Sequence, residues 1–355
     1  MAKKLMKGAE AIGEAAIWAG CRAYFCYPIT PQTEVAEYLS RRMPQVNGAF
    51  LQAESELAAA NMIFGASGTG ARVFTTSSSP GISLMSEAIS YIAAAELPAV
   101  FVNIIRSGPG LGGILPAQSD YFQATKGGGH GDYRLIVLAP ATVQEAVDMM
   151  MTAFDLADEY RNPVMLIGDG LIGQMMEPVE FPENWKPKTV DKSAWVTEGA
   201  KGRTPHIIKT LFLDAAKCDA HNHHLAEKYR RVVEKEQRWE DWNLDGKYEV
   251  LLVSFGTMSR ICKTVIEDMA AEGIKVGLVR PKSLYPFPSE AIYRAANKPH
   301  VKAVLSVEMN MGQMVEDVER AVRFTKPVSW YGRAGGVIPT PEEVAAQIRK
   351  LAGRT

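Results

Sequence analysis

Apolar residues recur along this chain at two periods. Short runs, nearly continuous in β-branched and aromatic side chains, alternate with longer stretches whose apolar positions repeat at helical spacing. In the first half the runs Arg22–Tyr27, Arg72–Thr75, Pro98–Ile105, Arg134–Leu138 and Val164–Gly168 predict strands. A first helix is predicted from Ile12, Ala15, Ala16 and Ala19, which share one face. Its basic start resembles a signal peptide, but Glu10 and Glu14 interrupt the apolar stretch and favour an amphipathic helix. Thr30 reads as an N-cap with Pro31 as first helical residue and Glu34 near the positive helix end, for a helix running to about Arg42. Ser55 is predicted to cap an alanine-rich helix from Glu56 to about Ala66. Further helices are predicted from about Ile82 and from Val143 to Tyr160. This alternation predicts a parallel sheet covered by helices on both faces.

The rhythm breaks between Met175 and Lys247. Extended, proline-rich text (MEPVEFPENWKPK) leads to a charged helix predicted over His221–Trp242, the pattern of a solvated connector lying across two domains. From Tyr248 the alternation resumes, with strands predicted at Glu249–Ser254, Lys275–Val279, Lys302–Val307 and Pro327–Trp330 and a last helix from Pro341 to about Ala352. The expected organisation is a first α/β domain over 1–175, a connector over 176–247 and a smaller α/β domain over 248–355. A chain of 355 residues fits two or three domains rather than one.

Composition narrows the function classes. With 47% hydrophobic and 22% charged residues the chain has the profile of a soluble globular protein, and no apolar run of about 18 residues predicts a membrane span. A net charge of −1 with dispersed Lys and Arg argues against nucleic acid as a partner. Cys21, Cys26, Cys218 and Cys262 show neither CxxC pairs nor metal-ligand spacing. Reduced thiols fit a cytoplasmic protein, and no iron–sulfur or other metal site is evident.

No GxxxxGK[ST] loop is present. Gly108, Gly110 and Gly113 match GxGxxG after a predicted strand, but Ile114, Leu115 and Pro116 follow where a helix should begin. Asp132 precedes a strand where a ribose-binding carboxylate should end one. The unusual residues gather instead in loops: YPITP (27–31), ESE (54–56), TTSSSPG (75–81), RSGPGLGG (106–113) and PAQSDYFQATKGGGHGD (116–132). Several of these loops follow predicted parallel strands, where open α/β sheets bind ligands. Each candidate has a plainer reading. Glu54 and Glu56 both suit a helix start and point different ways. Arg106 could snorkel from a sheet edge. His130 could merely stabilise its loop, and His221, His223 and His224 lie on the charged helix with no ligand pattern.

Taken together, YPITPQTE, QAESELAAANMIFGAS, TTSSSPGISLM, IIRSGPG, PAQSDYFQATKGGGHGDYRLIVLAP and NPVMLIGDGLIGQ resemble the alpha-type subunit of 2-oxoacid:ferredoxin oxidoreductases. LLVSFGTMSR, VRPKSLYPFP and EMNMGQM resemble that family's transketolase C-terminal-like domain. The resemblance spans essentially the whole chain, and its motif order makes it specific. It is nearest to the branched-chain type acting on 3-methyl-2-oxobutanoate. It implies a pyrimidine-binding domain for thiamine diphosphate followed by the transketolase-like domain. A beta-type partner would hold the diphosphate, Mg2+ and an iron–sulfur cluster, and gamma-type and ferredoxin-like subunits would complete the assembly. The implied reaction is oxidative decarboxylation: the thiazolium carbanion attacks the 2-oxoacid, carbon dioxide leaves, coenzyme A takes the acyl group, and electrons pass through clusters to ferredoxin. By resemblance Glu56 bonds the pyrimidine ring, Thr30 lies at substrate and cofactor, and Arg106 faces the substrate carboxylate. Tyr27, Pro28, Ile29 and Ser79 join Thr30 and Glu56 as cofactor-binding positions. The chain would be inactive alone. Three rivals stand beside this reading: a nicotinamide oxidoreductase built on GxGxxG, a non-catalytic assembly subunit, and the same chemistry on 2-oxoglutarate or pyruvate.

Overall fold

The computed structural model describes residues 3–354. The fold is α/β, with two parallel-sheet units. The first unit opens with β1 (Lys4–Lys7), α1 (Gly8–Trp18), β2 (Ala23–Cys26), α2 (Thr33–Gln45), β3 (Ala49–Gln52), α3 (Glu56–Gly68) and β4 (Val73–Ser77). It continues through α4 (Pro80–Ala94), β5 (Ala99–Ile105), α5 (Tyr121–Lys126), β6 (Ile136–Leu138), α6 (Val143–Tyr160), β7 (Pro163–Asp169), α7 (Gly170–Gln174) and β8 (Met176–Val179). A long segment without regular structure leads to α8 (Ala215–Lys235) and β9 (Trp239–Trp242). The remainder is β10 (Val250–Val253), α9 (Gly256–Ala271), β11 (Val276–Pro281), β12 (Ser283–Tyr285), α10 (Ser289–Ala296), β13 (Ala303–Glu308), α11 (Met314–Val322), β14 (Val328–Gly332) and α12 (Pro341–Ala352).

The larger sheet has the order β12-β6-β7-β5-β4-β2-β3, parallel throughout except for β12. Its central strands are buried on both faces and read as apolar runs for that reason. Along β5, Val100, Val102 and Ile104 enter the core formed with α1, α2 and α6, while Ala99, Phe101 and Ile105 enter the core with α3 and α4. Asn103, on the second face, is wholly buried. The second core runs on without a break into the other unit through Leu251, Val253, Val304 and Met314. That unit's sheet has the order β14-β13-β10-β11-β9. Its outer face packs Val250, Leu252 and Leu305 against α9 and α12.

Several expectations need correction. Thr30 does not cap α2, which begins at Thr33 after Gln32. The side chain of buried Gln32 turns back and donates to the Tyr27 carbonyl, while its oxygen accepts from Thr76, so residues 27–32 form a fixed turn rather than a first helical turn. The charged helix starts earlier and ends at Lys235; Trp239–Trp242 is instead an edge strand, antiparallel to β11. Nor is α8 merely solvated. Leu225, Tyr229 and Val232 are buried, and so is Lys228, whose ammonium reaches Glu96 and the Arg161 carbonyl. Burial holds the Lys228 pKa down to about 8 despite Glu96.

A buried arginine between two half-buried glutamates fastens the two units together. Arg280 of β11 donates twice to Glu145 of α6, and its Nε bonds Glu240 of β9 at 2.6 Å. Burial raises the Glu145 pKa, but the Arg280 bonds and charge outweigh it and bring the carboxyl down to about 2.

Candidate functional site

The carboxyl ends of β2, β3, β4 and β5 line one edge of the larger sheet, and the loops leaving them hold the sequence candidates. Ser55 caps α3 as expected, its hydroxyl accepting from the Ala58 N–H at 3.2 Å. That cap turns the two glutamates apart: Glu54 is exposed, while Glu56 is only 5% exposed. No hydrogen bond is made to the Glu56 carboxylate among the described residues. Along β4 and just past its end, the buried hydroxyls of Thr75, Ser77 and Ser78 also lack partners among the described residues, and Ser77 faces Glu56 across Gly81. Buried polar groups are nearly always paired, so three unpaired hydroxyls with an unbonded carboxylate close by mark a place built for a ligand. Gly81 leaves the space: a Cβ there would lie 2.0 Å from Ser77 Oγ and 2.7 Å from Glu56 Oε1.

Ser79 sits at the turn between β4 and α4 with φ at +26°, unusual for a residue with a side chain. Such backbone costs about 1–3 kcal/mol and persists only when its surroundings hold it. The Ser79 N–H donates to Asn103 Oδ1 at 3.0 Å. Its hydroxyl donates to Asp120 Oδ2 at 2.6 Å and accepts from the Arg106 N–H at 3.1 Å. Asn103 Nδ2 donates to the same Asp120 oxygen at 2.8 Å. Burial pushes the Asp120 pKa up, against those two bonds.

Arg106 directly follows β5, buried to 9% exposure. Its guanidinium does not snorkel to solvent. Nη1 donates to the Thr30 carbonyl at 3.0 Å and Nη2 to the Leu111 carbonyl at 3.2 Å, so the YPITP turn and the glycine-rich loop are tied to one side chain. Nε has no partner. A guanidinium carries five N–H donors, and the two used here leave three for an anion. Thr30 is exposed, and Tyr27, Pro28 and Ile29 are half-buried.

The glycine-rich loop is not a dinucleotide turn. Ser107 curls it, accepting the Gly113 N–H at 3.0 Å while its own N–H donates to Leu115 at 2.9 Å. Gly112, with φ at +57°, has no room for a Cβ, which would lie 1.8 Å from the Ser107 carbonyl. No helix follows until Tyr121, and Asp132 is exposed before β6. A cavity of about 660 Å³ opens beside the loop, between the two units, lined by Ser79, Ser107, Pro109, Asp120, Asn310 and Met311.

Thr30, Arg106 and Ser79 are thus joined by hydrogen bonds, and Glu56 adjoins them across Gly81. Sequence reasoning missed Asp120, Asn103 and Gln32. Asp120 lies in a motif quoted above, but its partner is 41 positions away and no local signal announces it. His130 is exposed and touches Ser90 and Tyr91, in keeping with a loop contact. His221 and His224 bond the Ala94 carbonyl and Glu96. Among the described residues no group of three or more His, Cys, Asp and Glu could hold a metal, and no helix is long and apolar enough to cross a membrane.

Comparison with known proteins identifies the family and the fold. The family described as pyruvate flavodoxin/ferredoxin oxidoreductase, thiamine diP-bdg (thiamine diphosphate-binding), matches residues 14–241, and the pyruvate:ferredoxin oxidoreductase core domain II matches residues 248–344. The chain is 46% identical to ketoisovalerate oxidoreductase subunit VorB of Methanothermobacter marburgensis, over 100% of this chain and 99% of that one. It is 34% identical to 2-oxoglutarate synthase subunit KorA of Methanocaldococcus jannaschii, over 97% of this chain and 98% of that one. Among solved structures, the 2-oxoglutarate:ferredoxin oxidoreductase of Magnetococcus marinus, with 2-oxoglutarate, coenzyme A and succinyl-CoA bound, is similar with a TM-score of 0.88 and 27% identity. The match covers 98% of this chain but 65% of that chain. A split-gene transketolase, at a TM-score of 0.59 and 14% identity, shares the fold.

Proposed function

Because the chain belongs to the thiamine diphosphate-dependent 2-oxoacid:ferredoxin oxidoreductase family, we propose that it supplies the pyrimidine side of a shared active site and that its substrate is 3-methyl-2-oxobutanoate. The observation that carries this reading is the buried, unpaired Glu56 carboxylate beside the unpaired Ser77 and Ser78 hydroxyls. A carboxyl group so placed needs a hydrogen-bonding partner, and a pyrimidine ring nitrogen that shares one proton with it fits. Thiamine diphosphate, when bound, supplies a nucleophilic thiazolium carbon and an electron sink. Glu56 would hold the proton exchanged with the ring, in a dry setting that favours such transfer. Tyr27, Pro28, Ile29, Thr30 and Ser79 would shape the cofactor's surroundings.

Arg106 would orient the substrate carboxylate with the donors that Thr30 and Leu111 leave free. Every 2-oxoacid has that carboxylate, so Arg106 does not choose among side chains. The branched-chain reading rests on the higher identity to the ketoisovalerate subunit, 46% against 34% for the 2-oxoglutarate subunit. The diphosphate, Mg2+ and iron–sulfur clusters would sit on partner subunits, with coenzyme A taking the acyl group, ferredoxin the electrons, and the assembly in the cytoplasm. The test is to purify the complete complex and assay it with coenzyme A and a low-potential acceptor. The highest kcat/KM is expected with 3-methyl-2-oxobutanoate, ahead of pyruvate and 2-oxoglutarate. Preference for 2-oxoglutarate would overturn the substrate, and no turnover of any 2-oxoacid would overturn the activity.

A further inference from the structure

Glu56 and Arg106 make no contact with each other, yet one residue is placed to hold both. We infer that Asp120 is a positioning residue: held by the second unit against Ser79, after β4, and Asn103 of β5, it fixes Ser79 and through it sets both Arg106 and the helix start that abuts Glu56.

The segment around Asp120 has no regular structure of its own until α5. The second unit holds its backbone. The Gln118 N–H donates to the Met309 carbonyl at 2.9 Å, and Gln118 Oε1 accepts the Met309 N–H at 3.0 Å. Asn310 Nδ2 donates to the Gln118 carbonyl, Gln313 Nε2 to the Ser119 carbonyl, and the Phe122 N–H to Gln313 Oε1. Gln118 Nε2 reaches the Phe255 carbonyl at 2.9 Å. Residues on both sides of Asp120 are therefore anchored to the second unit, while the Asp120 carboxylate points away, to Ser79 and Asn103 of the first.

Two lines of contact leave Ser79. Its hydroxyl, oriented by donating to Asp120, accepts the Arg106 N–H and so fixes the residue whose guanidinium reaches Thr30. Its backbone, held at positive φ, delivers Pro80 and Gly81 to the start of α4, where Gly81 meets Glu56 and Ser77. Without the carboxylate, the Ser79 hydroxyl and the Asn103 amide lose their shared acceptor and the strained turn can relax. Asparagine in its place keeps an acceptor oxygen of the same reach, whereas alanine keeps none.

The kinetic part of the test rests on the proposed function; the exchange part does not. In the full chain, amide hydrogen exchange would be followed at Ser79 and Arg106 in the wild type, Asp120→Ala, Asp120→Asn and Ser79→Ala. In the complete complex, KM and kcat for the 2-oxoacid would be measured for the same set. Asp120→Ala should speed exchange at both amides and raise KM, each by roughly tenfold or more, the scale of small misplacements at a site. Asp120→Asn should stay within about threefold of wild type on both readouts. Ser79→Ala should reproduce the loss at the Arg106 amide and the rise in KM, and stands in if Asp120→Ala does not fold. Unchanged exchange and KM in the variants lacking the acceptor or the hydroxyl would overturn the inference. So would an Asp120→Asn as impaired as Asp120→Ala, because the carboxylate's own charge or proton would then be what matters. A wild-type complex inert toward every 2-oxoacid would sink the proposed function, with the amide exchange still deciding the role of Asp120.

Discussion

The two units each bury a glutamate beside the start of a helix, and the two carboxylates are treated in opposite ways. Glu308, at the end of β13, accepts N–H bonds from Met314 at 2.7 Å, Val315 at 2.9 Å and Gln313 at 3.2 Å, and a fourth bond from Ser306. Burial raises its pKa, and these bonds oppose the rise. Glu56, at the start of α3, is almost as buried and accepts no hydrogen bond among the described residues. A carboxylate wrapped in donors fixes its own loop and has nothing left to offer a ligand. One buried without a hydrogen bond is a standing cost to the folded chain, and such costs collect at functional sites. Both are acidic residues close to a helix start, Glu56 opening α3 and Glu308 preceding α11, so the difference lies in the donors brought to each.

The sharpest break in this comparison is exchange of the two roles. Glu308→Ala should cost about 3 kcal/mol of stability, because several buried backbone N–H groups lose their acceptor. Urea unfolding would show it as a lower midpoint, and an unchanged midpoint would mean that water replaces the carboxylate. Glu56→Gln should do the reverse. Turnover of the complete complex should fall roughly a hundredfold, about 2.7 kcal/mol in the barrier, with the urea midpoint held or raised. A variant that lost stability and kept its rate would make Glu56 another Glu308.

A third carboxylate sharpens the contrast by pH. Glu145 is brought from 4.5 to about 2 on folding, so its contribution to stability is complete above pH 4.5 and is lost as pH falls from 4.5 toward 2. In Glu145→Gln the stability of the chain should be lower at neutral pH by about 2 kcal/mol and should depend less steeply on pH in that window. Equal slopes for variant and wild type would show that the Arg280 pair does not join the two units as described. The smallest expected effect belongs to Arg106→Lys, which keeps the charge and loses the two-pronged geometry. KM should rise by about tenfold for every accepted 2-oxoacid, with their ranking unchanged. Loss confined to a dicarboxylate would show Arg106 reading a distal carboxylate, and the branched-chain proposal would fall with it.

What could be read from the chain follows the same division between local and distant causes. The central strands of the larger sheet are buried on both faces, so their apolar runs announced them. The edge strands β3 and β9 did not, although the edge strand β14 was read at Pro327–Trp330. β3 is largely exposed, and β9, with the sequence WEDW, presents no core face and continues the charged text of α8. The Ser55 cap was legible because its acceptor and donor are three residues apart. The Thr30 cap was misread because a side chain two residues later, Gln32, turns back to Tyr27 and claims the turn. At the site, the motifs pointed to Glu56, Arg106 and Thr30. The Ser79–Asp120 bond and the anchoring of Gln118 by Met309 join residues 41 and 191 positions apart, and no local pattern encodes them.

The account turns on Glu56 meeting the cofactor's ring, and one measurement reaches that contact without waiting for the whole reaction. Hydrogen–deuterium exchange at the thiazolium carbon of thiamine diphosphate would be timed by rapid quench in the complete complex, wild type against Glu56→Gln, with no 2-oxoacid present. Exchange should slow by roughly a hundredfold in the variant, matching its loss of turnover. Exchange at the wild-type rate with cofactor fully bound would contradict the account, leaving Glu56 as the first residue of a helix and nothing more.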